Sequence, residues 1–120
     1  MKVYVYYNLH RHKWSVKALE GPQKGRVVQH LDSLWLTKAQ PKVSQRGRER
    51  VLRDKVKNVH AGITGYIADS APLSALLDDN DPREVTYNPY KYTGFVYKGD
   101  ESSYNGSECV LMHHRKVYSY

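Results

Sequence analysis

Arg46, Arg50, Arg53 and Lys57 recur at spacings of four, three and four residues. At about 100° per residue this spacing predicts one narrow cationic stripe on a helix. Guanidinium forks match the geometry of phosphate oxygens, and such a stripe reaches several phosphates of a nucleic-acid backbone. The predicted chemistry is capture of nucleic acid or another phosphate-bearing ligand. The same pattern also describes a solvated helix face on which Glu49 and Asp54 are local ion-pair partners. His60 follows the stripe, where an imidazole can move a proton while Lys57 holds a phosphate. That makes His60 the catalytic candidate, as the base of a small metal-independent nuclease or nucleotide-processing enzyme with Arg50, Arg53 and Lys57 as anion clamps. A second acid or base would come from His10, His12, His30, His113 or His114, none of them at a diagnostic spacing. The structural alternative is a histidine that satisfies the carbonyls of a helix C-terminus.

Other chemistries find less support. His10-x-His12 and His113-His114 offer two imidazoles each, short of the three or four ligands a firm metal site needs. The acidic tract Asp78, Asp79, Asp81 lacks the glycine and terminal glutamate of an EF-hand loop. Cys109, followed by Val110 and Leu111, reads as a small buried hydrophobe. No phosphate-cradling glycine loop and no nucleophile elbow is present, so neither a metal nor a cofactor is expected.

The elements that would position these residues follow from periodicity. Met1 to Asn8 and Trp14 to Leu19 read as strands, the second with Trp14, Val16 and Ala18 on one face. His10 to Lys13 is a charged turn between them, and Glu20 to Gly25, with two glycines and a proline, is another turn. Arg26 to His30 and Ser33 to Thr37 continue an antiparallel meander that Pro41 is expected to end. From Ser44, a candidate N-cap, the period becomes helical over Gln45 to Asn58, with Leu52, Val56 and Val59 opposite the cationic stripe. Ile63 to Ala68 reads as a strand whose Gly65 permits a close approach. A short helix is expected over Ala71 to Leu77, and Asn88-Pro89 as a turn after a strand from Glu84 to Tyr87. Tyr90 to Tyr97, Glu108 to Met112 and a last strand at Val117 and Tyr118 complete the chain. The fold class this predicts is α+β: a mainly antiparallel, twisted sheet with one principal basic amphipathic helix.

At 120 residues the chain is expected to form a single domain over 1–120. It lacks a run of about 18 apolar residues, so no spanning helix and no membrane partner are predicted. The amino terminus does not read as a signal peptide. One cysteine rules out an internal disulfide. Charge is segregated: residues 38–57 carry eight basic and two acidic side chains, supplying +6 of a formal +7, while residues 69–108 are net acidic. Such an arrangement suits oriented encounter with a polyanion or with an acidic protein surface. Eleven tyrosines against one phenylalanine fit half-buried sheet positions, interfaces and stacking surfaces.

RGRERVLRDKVKNVHAGITG at 46–65, REVTYNPYKYTGFVYKG at 83–99 and HLDSLWL at 30–36 resemble a family of small, largely uncharacterised proteins encoded by bacteriophages and prophages. The likeness extends over most of the chain. It implies a phage-encoded accessory protein working in the cytoplasm of the host cell, on nucleic acid or against a host defence. Arg50, Lys57, Asn58, His60, Ala61, Gly62, Asn88, Pro89 and Tyr90 stand at positions of the two longer motifs. If the motifs meet in space, Asn58, Asn88 and Tyr90 become ligand-contacting or supporting groups; Asn88-Pro89-Tyr90 as turn chemistry is the alternative. A protein-only inhibitor, its basic face on an acidic host enzyme, is the third class of function.

Overall fold

The computed structural model describes residues 1–8, 10–43, 49, 53–54, 61–72, 82–87 and 94–120. Nine strands account for most of them: β1 (Lys2–Asn8), β2 (Lys13–Ala18), β3 (Val27–Leu31), β4 (Ser33–Val43), β5 (Ala61–Ala68), β6 (Arg83–Tyr87), β7 (Phe95–Tyr97), β8 (Ser107–His113) and β9 (Lys116–Ser119). They form a single sheet in the order β3-β2-β1-β5-β4-β8-β9-β6-β7, and every pair is antiparallel. Among the described residues no helix is long and apolar enough to cross a membrane.

Alternation of apolar and polar residues assigns the two faces, because successive side chains of a strand point to opposite sides. Val3 and Val5 of β1, Trp14 and Val16 of β2, Leu34 and Leu36 of β4, Ile63 of β5, Val110 and Met112 of β8, Val117 of β9 and Val85 of β6 all lie in one buried core. The registers agree: Val5 is opposite both Val16 and Ile63, Leu36 opposite Val110, and Met112 opposite Val117.

The expected α+β architecture is corrected by this arrangement. The predicted helix, Gln45 to Asn58, lies outside the described residues except at Glu49, Arg53 and Asp54, whose helical backbone does not amount to an element. No principal basic helix covers the sheet among the described residues. Among the described residues, part of the cover for the core face comes from the sheet itself, which curls until Gly94, just before β7, comes against the side chain of Val43 at the far end of β4. Tyr104 then fills the interior: fully buried, it donates its amide to the Phe95 carbonyl at 2.9 Å, and its hydroxyl shares a 2.9 Å bond with Ser107.

One further expectation shifts. Strand β4 does not stop before Pro41 but runs through it, with Pro41 opposite Ile63. Pairing to β8 has already ended at Ala39 opposite Ser107, so the missing proline amide faces no ladder on that side. A bulge between Thr37 and Gln40, with Lys38 at φ 51°, reverses the side-chain parity and turns Ala39 into the core. This bulge explains Gly65, where a Cβ would come 2.8 Å from the Thr37 carbonyl oxygen and 3.3 Å from Leu36 Cβ. The short helix expected over Ala71 to Leu77 falls, from Leu73 onward, outside the described residues, as does the Tyr90 to Thr93 part of the strand expected to end at Tyr97.

Candidate functional site at the basic end of the sheet

Asn8, the last residue of β1, builds the first part of the site. Its carboxamide oxygen accepts from the amides of His10 at 3.0 Å and Arg11 at 3.1 Å, and its carbonyl accepts from His12 N at 2.8 Å. Asparagine does this because its short side chain reaches the backbone two residues on. The turn thus held displays His10, Arg11 and His12, all exposed. His12 takes φ 55°, the left-handed conformation that closes a tight turn.

A second turn, between β8 and β9, repeats the arrangement with His113, His114, Arg115 and Lys116, again all exposed and again with a left-handed histidine, His114 at φ 54°. The two turns are far apart in sequence and adjacent in space. Asp32, between β3 and β4, joins them: Lys13 Nζ reaches its carboxylate at 3.1 Å, and His114 N donates to its carbonyl at 2.9 Å. Arg115 lies over the ring of Tyr7, 5.4 Å from the centroid, and Tyr7 packs edge-on against Trp14 at 5.2 Å. Arg11, Lys13, Arg115, Lys116 and four imidazoles are therefore carried by two turns that meet at Asp32, whose carboxylate is paired with Lys13.

Such a cluster attracts anions and, being exposed, presents several independent donors rather than one enclosed pocket. The His113 and His114 rings stand 4.1 Å apart, yet no group of three or more His, Cys, Asp or Glu able to hold a metal ion occurs among the described residues. Pairing periodicity alone does not reveal the cluster. The available signal was the repeated His/Arg/Lys composition of two hairpin turns.

Ser15 Oγ lies 2.9 Å from His30 Nδ1, the separation of a nucleophile and its base. Ser15 is completely buried, so no substrate carbonyl or phosphorus can reach it. It also accepts from Asn8 Nδ2 at 3.2 Å, which makes the trio a structural tie between β2, β3 and the first basic turn.

Of the residues singled out from sequence, Arg46, Arg50, Lys57, Asn58, His60, Asn88 and Tyr90 lie outside the described residues. Arg53 is exposed and forms a 3.2 Å ion pair with its neighbour Asp54, whose hydrogen bond raises the guanidinium pKa further. The flanks of the two longer motifs share a neighbour: Val43 pairs with Ala61 and packs against Gly94.

A family model described as Mycobacterium phage L5 gene 82 protein matches residues 1–120. The Gene 82 protein of Mycobacterium phage L5 is 36% identical over 118 residues, covering 93% of this chain and 90% of that protein. No solved structure matches the chain. The extent of both matches places the chain in a phage-encoded family, that of the Mycobacterium phage L5 gene 82 protein.

Proposed function

We propose that this phage-family protein binds nucleic acid, or a ligand bearing several phosphates, through the basic end of the sheet. The observation that carries the reading is the convergence of two His/Arg/Lys turns on Asp32. Four permanently charged side chains against one carboxylate give a local excess of positive charge, and the formal +7 of the whole chain favours encounter in the same sense. Arg115, exposed and lying over the Tyr7 ring at 5.4 Å, offers the planar fork with which arginine meets phosphate oxygens.

Fluorescence anisotropy of labelled oligonucleotides over a salt series tests this. Affinity should fall linearly with the logarithm of salt concentration. Arg115→Ala combined with Lys116→Ala should lower the slope by about two while leaving the fold intact. An unchanged slope in that variant, or no binding at low salt, would remove the reading.

A further inference from the structure

The face of the sheet opposite the core has a composition of its own. On it, alternation and register place Tyr4 and Tyr6 of β1, Tyr66 of β5, Trp35 of β4 and Tyr118 of β9, spanning the middle of the sheet. Tyr66 is 38% exposed and the other four are half-buried. A surface strand position more often carries a small polar or charged residue; five partly exposed aromatic ones, with Tyr4 tilted against Tyr6 at 5.9 Å and Trp35 against Tyr120 at 5.3 Å, need a reason. Charge on this face is equally one-sided. Lys2, Lys17 and Lys42 stand on it together with Lys13 and Lys116 of the basic end, whereas Glu84, bound to Lys98 at 3.4 Å, is the one carboxylate at its described strand positions.

The basic end runs directly into this surface. Lys116 is paired with His113, and two residues along the same strands Tyr118 is paired with Leu111, which is itself opposite Trp35. That step is about 7 Å. A phosphate held at Lys116 therefore has aromatic rings within one nucleotide's reach. Unpaired bases stack on aromatic side chains, whereas in a duplex the base faces are already covered, and groove reading needs a helix or ribbon that can enter.

We propose that this face is a stacking platform and that the nucleic acid bound is single-stranded. The proposal rests on the reading of the basic end as a phosphate site and adds the class of strand to it. Backbone phosphates lie against the lysines, and bases lie on Trp35, Tyr118 and Tyr66. Sugar type is not read by stacking, so ribose and deoxyribose strands both qualify.

The test compares labelled single-stranded DNA and RNA of about a dozen nucleotides, a span suited to one such platform, with duplex DNA of the same sequence at fixed salt. At least one of the single strands should bind ten times or more tighter than the duplex, and should quench the fluorescence of half-exposed Trp35 but not of buried Trp14. Tyr66→Ala and Tyr118→Ala should each weaken single-strand binding about 5- to 100-fold with the salt slope unchanged. Tyr66→Phe, which keeps the ring, should bind as the parent does, and thermal melts confirm that each variant is folded. Equal affinity for single strand and duplex, or alanine variants that are folded and bind normally, would overturn the platform and leave the basic end standing. Absence of binding to every nucleic acid at low salt would overturn both.

Discussion

Arg115 stands over the ring of Tyr7 with its guanidinium carbon 5.4 Å from the ring centroid, and this contact pins the β8–β9 turn to the β1–β2 hairpin. Beside it, His114 holds φ at 54°, a conformation that costs a side-chain-bearing residue about 1–2 kcal/mol and glycine almost nothing. His114→Gly should therefore leave stability within about 1 kcal/mol of the parent, the relief of strain being offset by the greater entropy of unfolded glycine. His114→Val, β-branched at the same position, should destabilise. Urea unfolding of the two variants checks the contrast, and the glycine variant then tests the imidazole's part in binding without disturbing the turn.

Asp32 is the carboxylate at the centre of the basic end, and its ion pair with Lys13 is exposed on both sides. Exposed pairs contribute about 0–1 kcal/mol, so Asp32→Asn should cost little stability. A phosphate some 7 Å from the carboxylate feels a repulsion of roughly 0.6 kcal/mol in water, about threefold in affinity. Asp32→Asn should tighten oligonucleotide binding by about that factor at low salt. A loss of affinity would mean that Asp32 helps the ligand rather than opposing it.

Ser15, between Asn8 Nδ2 and His30 Nδ1, is buried where no substrate reaches it. Ser15→Ala should cost about 1–3 kcal/mol, since it strands two polar groups. A serine-directed acylating reagent should leave Ser15 of the native protein unmodified, as read by intact mass. Modification at Ser15 would show that the pair is accessible and reopen a nucleophilic role.

The sequence announces its strands through alternation: Val3 and Val5, or Trp14, Val16 and Ala18, need only a period of two to be assigned a face. Strand order is a different kind of information. Nothing in the apolar pattern says that β4 leaves the meander to lie between β5 and β8, and it is this placement that sets Ser33 opposite His113 and carries the second basic turn to Asp32. His10, His12, His113 and His114 are legible as two weak pairs, but their union is tertiary. Pro41 misleads for a related reason, because its effect depends on which side of β4 is still paired. The helical period over Gln45 to Asn58 predicts a covering element; among the described residues the sheet's curl and Tyr104 contribute cover instead. Gly65 is the position at which a local reading anticipates a tertiary fact, a glycine within a strand marking a close approach.

At Gly65 the approaching group is backbone, the Thr37 carbonyl at the β4 bulge, so an added methyl cannot be accommodated by rotating a side chain. Gly65→Ala should destabilise by about 1–3 kcal/mol, the usual cost of overpacking. Gly99→Ala makes the comparison, because a Cβ there meets nothing within 4 Å and its cost comes from φ 109° alone. Chemical denaturation of both should separate crowding from backbone strain: Lys38→Gly, which removes the cost of φ 51° and lets the bulge backbone shift, should soften the first defect and leave the second unaltered.

Tyr104 ties stability to alkaline pH. Burial pushes its phenol up to about 12, against a partly compensating bond from Ser107 and with Tyr97 nearby adding to the rise. The ordinary value is near 10, so between the two the folded protein holds a proton that the unfolded chain has released. By linkage the contribution is complete below pH 10 and is lost as pH climbs from about 10 to about 12, an effect on the order of 2 kcal/mol. Tyr4 acts in the same direction, its phenol raised by burial and by Tyr6, and so does Tyr120, raised chiefly by burial. Tyr104→Phe should lose about 1 kcal/mol at neutral pH with the Ser107 bond, and should unfold less steeply in alkali because one of these three groups is gone. Denaturant midpoints at pH 8, 10 and 11 measure it. Parallel decline of parent and variant would mean that Tyr104 ionises without unfolding the sheet, and that the alkaline limit is set at Tyr4 and Tyr120.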